Sequence, residues 1–399
     1  MKQSDLIIIG GGIVGLATGY RFTERFPGKT VTVLEKEDAV AKHQTGRNSG
    51  VLHSGVYYRP GSLRALNCRL GKEAMEEFCR QEGLPYDLCG KVIVAVEEHE
   101  LPQIDKIMTN GQANGVRCER IGPERLREIE PHCAGIAAVH VPDAGVTDYA
   151  QAARRLAEII CERGGQVVTK ARATAIRRDT NQAVVETTAG EFAASQVVNC
   201  AGLYSDRVTR LSGVTPSTRI LPFRGEFYTL KPEAHRLVRG LIYPVADPNF
   251  PFLGVHFTKI VHGGFECGPN AVLSWAREGY RQRDINLRDM AEWISYIGFW
   301  RMAARYWRTG FEEMWRSFSK PAFVRALQRL VPEIKSEELD WAPAGVRAQA
   351  VSREGSIVDD WVIDETQRVV NVENAPSPAA TAALNIGRLV VDRLAPRFA

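Results

Sequence analysis

Leu6-Ile7-Ile8-Ile9 is an unbroken apolar run that stops at three glycines, and apolar residues then recur at helical spacing over 13–26. A second apolar-rich stretch, 30–34, ends on Glu35. Strand, glycine turn, helix and strand in that order predict a βαβ unit. Residues 43–62 are rich in Gly, Ser and Asn and predict a loop, with a helix following over about 62–82. Strand-like pieces at 91–96 and 138–141 surround helical patterns near 98–114 and 123–130. A further helix is predicted over 149–163, closed by Gly164-Gly165, then strands at 166–170, 183–188 and 196–200. From 216 to 275 the pattern is β, with runs at 225–230, 241–245, 252–258 and 264–268. Residues 285–330 read as helical, and the last 60 return to strand, turn and helix.

These elements predict an α/β fold: a Rossmann-like nucleotide-binding domain with an inserted mixed β-sheet domain and a helical segment. The expected division assigns 1–85, 146–215 and 340–399 to the nucleotide part, and 86–145 and 216–339 to a substrate or cap part. Gly10-Gly11-Gly12-Ile13-Val14-Gly15 supplies the reason for the first assignment. Gly10 makes the tight turn, Gly12 lets backbone approach a pyrophosphate, and Gly15 permits close helix–strand packing. The helix N-terminus adds partial positive charge and free N–H donors. Glu35 follows Gly15 by twenty residues, where a carboxylate accepts hydrogen bonds from a ribose. A fingerprint this early in the chain favours FAD over NAD.

Composition narrows the classes further. The chain has 399 residues, 44% hydrophobic and 25% charged, with a formal net charge of +4, too small a surplus to point to nucleic acid. The eight cysteines are scattered without a CxxC pair, which argues against a zinc ribbon or a thioredoxin-type centre and suits reduced thiols; no metal is expected. No apolar run approaches the ~18–20 residues that span a bilayer. A strand predicted from residue 5 leaves no room for a signal peptide, so the expected setting is cytoplasmic.

Longer blocks carry a more specific signal. They are His43-Gln44-Thr45-Gly46-Arg47-Asn48-Ser49-Gly50, Val51-Leu52-His53-Ser54-Gly55-Val56-Tyr57-Tyr58, Pro222-Phe223-Arg224-Gly225-Glu226, Pro251-Phe252-Leu253-Gly254-Val255-His256, Pro343-Ala344-Gly345-Val346-Arg347-Ala348-Gln349 and Asn374-Ala375-Pro376-Ser377-Pro378-Ala379-Ala380-Thr381. On these the chain resembles the FAD-dependent oxidoreductases of the D-amino-acid oxidase and glycerol-3-phosphate dehydrogenase superfamily. Within it, the likeness is to the L-2-hydroxyglutarate oxidases/dehydrogenases. The resemblance implies FAD held by Gly10, Gly12, Ile13 and Val14 at the pyrophosphate, and by Glu35 and Lys36 at the ribose. Thr45, Arg47, Asn48, Ser49 and Gly50 would line the path to the flavin, Ala173 would meet adenine, and Ala201 and Gly202 would close over the cofactor. Ser377, Pro378, Ala379, Ala380 and Thr381 would aim a helix N-terminus at the flavin ring.

The implied reaction, 2-hydroxy acid to 2-oxo acid, needs a base for the hydroxyl proton and cations for two carboxylates. Arg347 is the first candidate cation and Arg224 the second, with an ion pair to Glu226 as the alternative for Arg224. His256 and His53 are the candidate bases, with His256 favoured because its strand belongs to the inserted part. Tyr57 and Tyr58 are candidate substrate hydrogen-bond donors. Where many amine-oxidising relatives have Gly-x-Arg-Pro, this chain has Gly345-Val346-Arg347-Ala348, which favours a hydroxy acid. An amino- or imino-acid oxidase and a non-catalytic flavoprotein stand as alternatives, and quinone and oxygen both stand as acceptors.

One stretch belongs to none of this. Trp293, Trp300, Trp307 and Trp315 recur at helical spacing with Ile297, Ala304, Phe311, Met314 and Phe318. Over 277–329 eleven Lys/Arg stand against six Asp/Glu, a local +5. A helix packed into the core and a helix lying at a membrane surface are both consistent with the pattern, the first being expected.

Overall fold

The computed structural model describes residues 2–178, 181–246 and 253–398. The N-terminal apolar run is the centre of an eight-stranded sheet. Lys2–Ile9 pairs in parallel with Val31–Leu34 on one side and Gly190–Asn199 on the other. Gln166–Val168 extends the first side, and Val369–Asn374 joins Gly190–Asn199 in parallel. A strand buried on both faces needs apolar residues at every position, which is why Leu6 to Ile9 do not alternate. Leu6 and Ile8 pack beneath helices Ile13–Arg25, Tyr149–Glu162 and Ala379–Leu394. Ile7 and Ile9 face Ile176, Val185 and Phe192 of an antiparallel extension, together with Val208.

A nine-stranded sheet forms the second layer. Its order is Val272–Leu273, Thr218–Leu230, Phe265–Gly268, His256–Lys259, Leu241–Pro244, Lys91–Ala95, Ala137–Val141 and Glu119–Ile121, with Leu339–Ser352 paired to Thr218–Leu230. Ile93, Val139, Val141 and Tyr243 pack with Ile104 and Ile107 on one face. Val92, Val94, Ile242 and Phe257 pack on the other against helix Lys320–Gln328. A small sheet of Val51–Leu52, Gly145–Thr147 and Tyr86–Asp87 lies between the two sequence regions.

Most predicted elements fall within a few residues of those observed, and the exceptions are instructive. Strand Leu339–Ser352, from residue 340 expected with the nucleotide part, lies in the nine-stranded sheet, antiparallel to Thr218–Leu230 over nearly its whole length. Ala173–Arg178 is a strand that no apolar run announces, because it is an edge strand with half its residues exposed. The predicted strand over 252–258 is observed as His256–Lys259, and Pro251 and Phe252 lie outside the described residues. The segment 285–330 is three helices, Leu287–Ile294, Ile297–Phe318 and Lys320–Gln328.

Close helix packing fixes the N-terminal unit against the C-terminus. Gly387 lets Ala379–Leu394 approach Ile13–Arg25 until an added Cβ would lie 2.5 Å from the Ala17 carbonyl oxygen. Backbone on the other side leaves no room to yield. Gly387→Val is therefore expected to destabilise the protein by about 1–3 kcal/mol, read as a lower midpoint in denaturant unfolding.

Candidate active site

A cleft of about 440 Å³ runs between the two large sheets. At one end it is lined by Gly12, Ile13 and Val14, the first residues around helix Ile13–Arg25. That helix has no side-chain cap and no acidic residue in its first turn. Thr45 Oγ1 accepts the Ile13 N–H at 3.0 Å and ties the loop 43–50 to the helix. Gly10, at φ +117, turns so tightly that a Cβ would sit 2.4 Å from the Cys200 carbonyl oxygen. A Cβ on Gly15 would meet the Gly10 oxygen at 2.1 Å. Both glycines are required by the turn and lie behind the cavity, whereas Gly12 faces it.

Helix Ala379–Leu394 also begins at the cleft without a side-chain cap, and Ser377, Pro378, Ala379, Ala380 and Thr381 all line it. Two uncapped helix N-termini converging on one cavity suit a pyrophosphate and an electron-rich ring, so the residues present fit FAD. Thr45, Arg47, Asn48, Ser49 and Gly202 line the cleft as expected. Asn48 spends its side chain on its own loop, donating to Gln44 and Thr45 oxygens and accepting from Gly50 N–H. Gly50 is needed for its conformation, φ +69 against the Thr147 oxygen, and Ala201 backs the wall next to Gly202.

Besides Gly10, Gly50 and Ala201, which back the cleft, three more expected contacts are not among its lining residues. Glu35 is buried and accepts the Gly11 and Glu37 N–H groups, so its carboxylate orders the glycine turn. The Lys36 ammonium is engaged by Glu37, Glu278 and His43. Ala173 lies on the edge strand outside the cleft. Arg224 is corrected as well: it is buried in an ion pair with Glu226 at 3.0 Å and donates to the Arg281 oxygen. The period of two along a strand explains this. Phe223, Gly225 and Phe227 line the cleft, and Arg224 and Glu226 between them point to the opposite face.

The other end of the cleft holds the chemistry. Arg347, opposite Phe223 in the ladder, faces the cavity with His256, His53, Tyr57, Tyr58, Tyr243 and Arg64. Arg64, which the sequence reading missed, stacks on Tyr58 at 4.4 Å and donates to the Ser377 oxygen at 2.9 Å. Burial, and then the nearby Arg64 charge, push the Arg347 guanidinium down to about 10. Burial pushes the Tyr57 and Tyr58 hydroxyls up, and the Tyr57 hydroxyl is among the buried groups with no hydrogen bond. His256 Nδ1 lies 2.8 Å from the Gly254 carbonyl oxygen. Since a carbonyl only accepts, we assign the proton of the neutral ring to Nδ1, which leaves Nε2 with its lone pair. Burial, followed by the opposing Gly254 bond and the Lys91 and Arg347 charges, brings His256 down to about 3. Burial and then Lys91 likewise hold His53 well below the ordinary imidazole range.

Behind Tyr243 lies Lys91, only 2% exposed. Its ammonium is 4.1 Å from the Tyr243 ring centroid, and burial pulls it from 10.5 down to about 8. An ammonium so placed costs the fold on the order of 3 kcal/mol below that pH. As pH rises from about 8 toward 10.5 the folded state loses its proton first and stability increases. Lys91→Met should therefore raise the melting temperature at pH 7, with a gain that shrinks as the pH climbs through that window.

A family model described as FAD dependent oxidoreductase matches residues 5–393. The chain belongs to this family, and FAD is its cofactor. It is 48% identical over 396 residues to a protein named L-2-hydroxyglutarate dehydrogenase from Indibacter alkaliphilus, covering 99% of each chain. A mitochondrial protein of the same name from Homo sapiens is 43% identical, with 99% of this chain and 89% of that one covered. Among solved structures it is similar to FAD-bound L-alpha-glycerophosphate oxidase from Mycoplasma pneumoniae, at TM-score 0.81 and 22% identity, covering 99% and 95% of the two chains. The protein is thus an FAD-dependent oxidoreductase, of the kind that acts on a small hydroxy acid.

Proposed function

We propose that this protein oxidises L-2-hydroxyglutarate to 2-oxoglutarate. The observation that carries the reading is the company His256 keeps: a neutral imidazole with a free Nε2, set in one cavity with the guanidinium groups of Arg347 and Arg64. Near-full-length relatives named for that substrate support it. Bound FAD supplies the acceptor for the hydride that leaves substrate C2. Arg347 holds one carboxylate and Arg64 the other, in place of Arg224, while Tyr57 donates its unsatisfied hydroxyl. His256 Nε2 takes the hydroxyl proton. The nine-stranded sheet, whose Phe223, Phe227 and Tyr243 line the cleft, would cover a flavin held there.

Anaerobic mixing with L-2-hydroxyglutarate should bleach the flavin, and the D-enantiomer should not. Bleaching by glycine, proline or sarcosine instead would establish an amino- or imino-acid oxidase, and no bleaching by any small acid a non-catalytic flavoprotein. His256→Gln should slow flavin reduction by roughly 10²–10⁴-fold, and more than His53→Gln does.

A second surface bears on the electron acceptor. Among the described residues no helix is long and apolar enough to cross a membrane. Yet the helical segment Ile297–Phe318, kinked at Tyr306, exposes Trp300 before the kink and a stripe of Trp307, Phe311, Trp315 and Phe318 after it, Phe311 at 72%. Trp293 is not part of it, being buried on the preceding helix against Phe299. Expected as core packing, this stripe faces outward among Arg301, Arg305 and Arg308. We propose that it lies on an anionic lipid surface, which makes a membrane quinone the acceptor rather than oxygen. The protein should float with vesicles containing anionic lipid, and the triple change Trp307→Ser, Phe311→Ser, Trp315→Ser should abolish flotation without slowing flavin reduction.

A further inference from the structure

Lys91 begins a strand, Lys91–Ala95, whose other residues are Val, Ile, Val and Ala. Register places it beside Leu241 and Val141, on the same sheet face as Ile93 and Tyr243. Tyr243 in turn neighbours His256, and the two rings stack at 3.9 Å with 25° between their planes. The Lys91 ammonium lies over the Tyr243 ring at 4.1 Å and 5.8 Å from the Tyr57 ring centre. Lysine, tyrosine and histidine thus form one row on the face that meets the cleft.

Among the described residues this ammonium has no compensating anion. No ion pair or hydrogen bond joins it to any described residue, and the groups that act on it are the thiols of Cys68 and Cys89. Burial pushes those thiols up to about 12 and about 11, so they stay protonated and uncharged. Packing does not explain the charge either, because an unbranched apolar side chain would fill the same space at lower cost. The neighbourhood does. Lys91 and Arg347 are the charged groups acting on His256, from strands Lys91–Ala95 and Leu339–Ser352. His53 is faced by Lys91, His256, Arg347, and Arg64 of helix Leu63–Gln81. The tyrosines facing the cleft, Tyr57, Tyr58, Tyr149 and Tyr243, keep their protons.

We propose that Lys91 is a positioning residue whose fixed charge keeps the imidazoles of His256 and His53 unprotonated when a dianion fills the cleft. A substrate with two carboxylates favours the imidazolium, and an imidazolium cannot accept the hydroxyl proton. Lys91 opposes that shift from behind Tyr243 without touching the substrate. The proton then passes from the substrate hydroxyl to His256 Nε2 as the hydride leaves C2. The inference rests on the proposed substrate, and the test separates the two.

Holoenzymes of the wild type, Lys91→Met and Lys91→Arg are compared by anaerobic stopped-flow reduction with L-2-hydroxyglutarate over about pH 3 to 9, a range that includes the lowered His256 titration. The same proteins, carrying ¹³C-labelled histidine, are titrated by NMR without substrate, with His256→Gln and His53→Gln assigning the signals. Lys91→Met should move the acid limb of the reduction rate, and both histidine titrations, upward by on the order of one pH unit. Lys91→Arg should leave them in place. A rate lowered equally at every pH, with histidine titrations unmoved, would overturn the proposal and leave Lys91 a packing residue. If L-2-hydroxyglutarate fails to reduce the wild type, the substrate assignment falls and the NMR titration alone decides the role of Lys91. Should Lys91→Met not fold, Lys91→Gln makes the same comparison.

Discussion

Backbone N–H groups at the start of a helix must find partners, and in this protein two helices leave theirs to a ligand. Ile13–Arg25 and Ala379–Leu394 both begin at the cleft with no side-chain cap. Much of the surrounding architecture serves to bring those two ends together. Gly10 and Gly15 let the first helix start directly off the central strand, and Thr45 takes up one donor and fastens the neighbouring loop. The parallel order of the eight-stranded sheet carries the second helix to the same side. An anionic cofactor completes what the polypeptide leaves unsatisfied.

The opposite end of the cleft is crowded with positive charge, a costly arrangement for an empty protein. Arg347 and Lys91 act on both His53 and His256, and Arg64 acts on His53. Each cation raises the cost of the next, Asp359 at 3.8 Å from Arg64 offsets part of it, and negative charge entering the cleft lowers it further. Such repulsion would favour a doubly charged acid over a monoanion. That preference agrees with the dicarboxylate reading while depending on no single contact.

Local rules made the nucleotide end legible. A glycine turn between an apolar strand and a helix has few alternatives, and the loop 43–50 lies where its polar residues suggest. The substrate end depended on which way side chains point across a sheet, and strand parity is hard to set when the strand boundaries are uncertain. Arg224 was misplaced by one residue of alternation from Phe223, although an ion pair with Glu226 was the alternative reading. Arg64 was hidden inside an ordinary helical pattern. Lys91 did leave a trace, a lone cation at the head of an apolar run, but its meaning required the Tyr243 and His256 neighbours that only the third dimension supplies. The aromatic stripe was visible as a period of seven, while its outward direction was not.

The contact between Ala17 and Gly387 joins the first helix of the chain to the last. These partners lie far apart in sequence, so strand Lys2–Ile9 and helix Ile13–Arg25 are made before the apolar cover that Ala379–Leu394 supplies. Val369–Asn374, which extends the same sheet, arrives nearly as late. The unit at 2–25 therefore gains this part of its cover only after Ala379–Leu394 has been made. A protein built this way has little tolerance for early termination: loss of the last two dozen residues removes a wall of the flavin site and the lid of its core in one stroke.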